Sequence, residues 1–136
     1  MKAFAFSEKE DPRWRGLVLR ALAEHHPEHV QEASPLLRVD PDARIQRGIL
    51  PVVASAAQGP AELASMLAAN PPLEERPGLA ELRLELIERL AGIGDPMTLP
   101  VLLEQYRSSR DDPAEMLALS RALVAFPDPR ARQALA

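Results

Sequence analysis

Two short phrases written 33 residues apart do most to limit what this chain can fold into. Ile93-Gly94-Asp95-Pro96 and Phe126-Pro127-Asp128-Pro129 share one order: an apolar residue closing a helix, a breaker, an N-cap acid, and proline at the first helical position. The apolar positions ahead of each phrase coincide under the same shift, Leu86 with Leu119, Leu90 with Leu123 and Ile93 with Phe126. A repeat of this period predicts an all-α chain, an α-solenoid of antiparallel helix pairs in which no unit covers its own apolar face without a neighbour.

The remaining composition agrees with helices. The apolar 46% is mostly Leu and Ala, with few β-branched or aromatic residues. The 14 prolines belong at first turns and in loops, so they mark boundaries and imply about seven to eight short helices. A length of 136 residues suits one domain. Residues 1–10, with Phe4 and Phe6, are expected to cover one end, and helical hairpins are expected over 11–39, 40–70, 79–109 and 112–136.

Asp11-Pro12 opens a helix that ends near His26-Pro27, with Leu17, Ala21 and Glu24 on one ridge, Val18 and Leu22 beside it, and Gly16 as a tolerated interruption. A second helix is predicted from Pro27 to about Val39, kinked or split at Pro35, and a third from Asp40-Pro41 to about Gln58, with Pro51 inside it. Ala61–Asn70, Leu79–Ile93, Met97–Ser109, a helix from Asp112-Pro113 to Phe126 and a final turn after Asp128-Pro129 complete the expectation.

The run Leu90-Ala91-Gly92-Ile93-Gly94-Asp95-Pro96, followed by Leu99-Pro100-Val101-Leu102, resembles the HEAT-like repeat, in particular its short bacterial form also found in phycobilin lyases. Asp112 matches the acid of the turn within the repeat, and Arg121-Ala122-Leu123 matches the second helix. The likeness covers residues 79–132 well, and Ser34-Pro35-Leu36-Leu37 with Asp40-Pro41 and Arg44 more loosely. It implies a scaffold that binds other proteins, and no lyase residue maps onto this chain.

Chemistry-bearing clusters are sparse. Glu24-His25-His26-Pro27-Glu28-His29 holds every histidine, and His25 and His29 have the spacing of a helical metal pair, but Pro27 separates them and no third ligand is preset. Neither a metal nor a cofactor is expected. Glu81, Glu85 and Glu88 form an acidic stripe opposite the leucines of their helix, without an apolar pocket to set two carboxylates apart. The repeat shift places Glu88 opposite Arg121 and predicts that the two pair. The arginines are scattered among acids, among them Arg44 and Arg47, and Gly-rich phosphate loops and hydrolase elbows are absent.

A net charge of −4 argues against a general nucleic-acid or anionic-membrane binder. The chain has no signal-peptide pattern at its start and no apolar run long enough for a span, which favours the cytoplasm, while the absence of cysteine leaves the redox compartment open. The sequence reading is therefore a non-enzymatic HEAT-like adaptor for another protein, with Arg44, Arg47, Glu81, Glu85, Glu88 and Arg121 as the partner-binding surface. The alternative is a nucleic-acid-binding or DNA-processing helical repeat protein, and end-to-end self-association through Phe4, Phe6 and Trp14 is a third reading.

Overall fold

A computed structural model describes residues 11–72, 76–109 and 111–136. The expected cover by Phe4 and Phe6 lies outside these residues. Among them the chain is helical without strands: α1 Pro12–His25, α2 Glu28–Gln31, α3 Ser34–Leu37, α4 Ala43–Gly48, α5 Leu50–Ser55, α6 Gly59–Ala69, α7 Leu79–Ile93, a 3₁₀ turn Pro96–Thr98, α8 Leu99–Ser108, α9 Pro113–Val124 and α10 Pro129–Leu135. These ten α-helices exceed the expected seven to eight. Proline is the reason: Pro35 and Pro51 do not kink longer helices but sit in the first turns of new ones, where a missing N–H costs nothing. None of these helices is long and apolar enough to cross a membrane.

Five aspartates cap helices as the Asp-Pro phrases suggest. Asp11, Asp95, Asp112 and Asp128 each accept from a backbone N–H of the first turn they precede. The fifth corrects the reading: Asp42, not Asp40, caps α4, and Asp40 instead accepts from the Asp42 N–H through Oδ1 at 2.9 Å. At the end of α7, Gly94 takes the left-handed conformation at φ 66°, and its N–H returns to the Leu90 carbonyl at 3.0 Å.

The described residues group into two compact units, one of residues 11–59 and 76–82, the other of 60–72 and 83–136. In the first, α1 packs most heavily on α4 and next on α5. Its buried ridge is Arg15, Leu19, Leu22 and Ala23, whereas Leu17, on the ridge read with Ala21 and Glu24, is 61% exposed. Gly16 explains the rotation. A methyl group there would lie 2.7 Å from the Arg44 carbonyl oxygen, and one on Gly48 would lie 2.7 Å from the Gly16 carbonyl oxygen. The two helices meet backbone to backbone, so Gly16 is a contact surface, not a tolerated interruption.

In the second unit, α9 packs on α8 and on α10. The repeat-matched Leu86, Leu119, Leu90 and Leu123 are all fully buried. Ile93 and Phe126 part company: Ile93 is exposed at the end of α7, while Phe126, two residues beyond the end of α9, turns back into the core. The predicted Glu88–Arg121 ion pair does not form, and both side chains stand in solvent. The pair that does form is Arg83 with Glu115, whose side chains are 1% and 3% exposed.

Arg83 uses all five of its N–H donors. Nε and Nη2 fork onto Glu115 at 2.7 and 2.9 Å, Nη2 also reaches Gln105 Oε1 at 2.6 Å, and Nη1 donates to the Leu67 carbonyl at 3.2 Å and to the Asn70 carbonyl. The last two acceptors close the C-terminal end of α6, where a cation also meets the favourable end of the helix dipole. Glu115 lies in the first turn of α9 and takes a further bond from the Ser109 hydroxyl at 2.9 Å.

Two stability predictions follow from these contacts. Helix propensity alone makes Gly16→Ala stabilising by about 1 kcal/mol, whereas the backbone contact makes it destabilising by about 1–3 kcal/mol, as for overpacking; the sign of the change in urea unfolding decides between them. Arg83→Met strands a buried carboxylate and should cost about 3–5 kcal/mol, while Arg83→Met combined with Glu115→Leu should recover much of that loss in a double-mutant cycle.

Candidate functional site

The first unit holds a groove of about 610 Å³ along the α1–α4 crossing. Helix α1 lines it with Arg13, Leu17 and Arg20, successive positions on one face. Helix α4 adds Arg44 and Arg47. The turn leading into α7 closes it with Pro77 and Gly78, followed by Glu81. Gly78 has φ 79°, and a methyl group on it would meet Arg44 Cγ at 2.6 Å, so only glycine lets this turn lie against the Arg44 stem. Arg76 steadies the same turn by donating to the Pro41 carbonyl at 2.8 Å.

The arginines are held by their surroundings. Asp42 accepts from the Arg44 backbone N–H, and Arg44 folds back on it, Nε to Oδ1 at 3.0 Å and Nη2 to Oδ2 at 2.7 Å. Asp11 and Arg13 repeat this fork with 3.4 and 3.1 Å contacts, as do Asp128 and Arg130 in the second unit with 3.2 and 3.1 Å. Arg20 donates to the Arg47 carbonyl at 2.8 Å and stands 3.8 Å from Glu24. The side-chain hydrogen bonds from the arginines hold the carboxyls of Asp11, Asp42 and Asp128 below the usual aspartate range. Arg13 and Arg44 lie close enough to repel one another, and Arg44 also favours the charged form of Asp11.

Of the six residues singled out from the sequence, the structure brings Arg44, Arg47 and Glu81 to this groove. Glu85, Glu88 and Arg121 belong to the second unit; Glu85 is half-buried and pairs with Arg89 at 3.0 Å, and the other two are exposed. Arg13, Leu17 and Arg20 were missed as site residues. Their signal was legible: positions 13, 17 and 20 share a helix face, and Asp-x-Arg recurs at 11–13, 42–44 and 128–130.

Other clusters offer less. The histidines that meet are His26 and His29, with rings stacked at 5.3 Å and both near the Glu28 carboxylate, at 3.6 and 3.7 Å. Among the described residues no three histidine or carboxylate side chains gather in an arrangement that could hold a metal. A hollow of about 320 Å³ in the second unit touches Tyr106, Arg107 and Arg130, but both guanidiniums face their own acids, Glu104 at 3.5 Å and Asp128 at 3.1 Å. No protein family, curated protein or solved structure matches the chain.

The Asp42 fork makes stability depend on pH in a definite direction. A carboxyl whose folded pKa is depressed stabilises the fold above its unfolded value of about 3.9, and that contribution is lost as pH falls through the folded value. Asp42→Asn keeps a capping oxygen but removes the charge. Its Tm should therefore lie below wild type near neutrality, and the gap should close as pH falls through the depressed folded value, followed by circular dichroism melts across pH.

Proposed function

We propose that the chain is a non-enzymatic, HEAT-like scaffold of antiparallel helix pairs that binds another protein in the cytoplasm through the α1–α4 groove. The observation that carries this reading is the convergence of Arg44, Arg47 and Glu81 with Arg13 and Arg20 around one groove. The buried match of Leu86 with Leu119 and of Leu90 with Leu123 supports the repeat. A non-catalytic role is supported by the deepest ion pair: Arg83 has no donor left for a substrate, and both its side chain and that of Glu115 are closed to solvent.

A second reading, contact with nucleic acid, is favoured by the four guanidiniums at the groove. It requires affinity for duplex DNA that falls steeply with salt. The scaffold reading is tested by cross-linked capture from native lysate with wild type and an Arg13→Glu/Arg47→Glu variant. Loss of the captured proteins from the variant is expected; retention at equal strength overturns the reading.

A further inference from the structure

The groove is rich in guanidinium donors yet close to neutral in formal charge. Four arginines line it, and four carboxylates stand with them: Asp11 and Asp42 in the forks, Glu24 beside Arg20, and Glu81 on the wall. A polyanion gains chiefly from summed charge and counterion release, and this balance removes most of that gain. Directional bonds remain. The forks occupy Nε and Nη2 of Arg13 and Arg44, and the Nη1 amino group of each makes no hydrogen bond among the described residues. Both guanidiniums line the same groove, so a carboxylate bound there is attracted by both.

The groove also presents an apolar side chain, Leu17. Leu17 lies between Arg13 and Arg20 and is 61% exposed, and Trp14, one turn earlier on the neighbouring ridge, is 56% exposed. Large apolar groups left in water beside fixed donors mark a surface that an apolar side chain covers. Resting on the scaffold reading, we propose that the groove binds a short acidic peptide segment of a partner protein, its carboxylates taking the Nη1 donors of Arg13 and Arg44 and a large apolar side chain seating on Leu17 beside Trp14. Glu81 then acts as a selectivity wall, repelling a segment whose acids fall on the wrong side.

Trp14 is the sole tryptophan and stands one helical turn from Leu17, so its emission reports on the surface beside the groove. The probe is a short synthetic peptide alternating Glu with Leu and Phe, compared with its Gln counterpart and with a duplex DNA oligonucleotide. The acidic peptide should change the emission saturably and bind at least about tenfold more tightly than the Gln peptide, the scale of lost charged hydrogen bonds. Arg13→Gln and Leu17→Asn, both at exposed positions, should each weaken it about tenfold. Glu81→Gln should strengthen it about two- to threefold by removing a like charge, an opposite sign that no loss of folding produces.

Absence of saturable binding, equal binding of the Gln peptide, or duplex DNA binding more tightly than the acidic peptide each overturns the inference. Failure of the peptide while the Arg13→Glu/Arg47→Glu variant still loses its captured proteins defeats the acidic-segment inference and leaves the scaffold reading standing. Failure of both defeats both.

Discussion

The first unit depends on the absence of side chains at Gly16 and Gly48. With nothing but hydrogen between them, α1 and α4 approach until the carbonyl of one helix occupies space a methyl would need on the other. That closeness decides which faces are buried: α1 turns Leu19 and Ala23 inward and leaves Leu17 out. It also decides where charge sits, because Arg13 and Arg20 flank Gly16 on one helix while Arg44 and Arg47 precede Gly48 on the other. The crossing and the groove are one feature. A residue better suited to a helix at Gly16 would push apart the walls that hold the donors.

The same guanidinium group takes two roles in this chain, and the supply of acceptors separates them. Arg83 meets a carboxylate, an amide oxygen and two helix-end carbonyls within one unit, enough for every donor, and it is fully buried. Arg13 and Arg44 each meet one carboxylate, two residues back, and remain partly or largely in water. Burying either would strand donors at a cost one ion pair does not offset. Their Nη1 groups, left over by the forks, are the donors a ligand in the groove could satisfy in place of the fold.

Punctuation was the most legible part of the sequence. Asp before Pro placed four of the five aspartate caps, and the leucine spacing identified Leu82, Leu86 and Leu90 as core. Asp40-Pro41 misled because the cap two residues later is an Asp-Ala pair, chosen by the return of Arg44 onto Asp42. The face of α1 misled because hydrophobicity ranks Leu17 above Gly16, while the close approach rewards the smaller residue. Arg83 and Glu115 lie 32 residues apart in the chain, and no local period encodes such a bond. Glu115 in a first turn already has a local explanation in the helix dipole, which hides its partner. Half of the expected surface, Arg44, Arg47 and Glu81, meets at the groove because these residues flank the close crossing and the glycine turn.

On the proposed reading, charge balance sets how this groove would choose a partner. The chain carries −4 overall, so an acidic segment approaching from a distance meets no attractive long-range field. Surface ion pairs spaced beyond about 8 Å are screened at physiological salt, which leaves contact-range bonds to decide the outcome. Under the proposal, discrimination comes from alignment: carboxylates must meet the Nη1 groups of Arg13 and Arg44 that the forks leave over, with an apolar side chain in register over Leu17. A phosphate backbone has the charge without that apolar anchor, and an apolar peptide has the anchor without the acceptors. Because Asp11 and Asp42 stay ionised well below neutrality, the forks keep their geometry across the physiological range, and the donors they aim stay aimed.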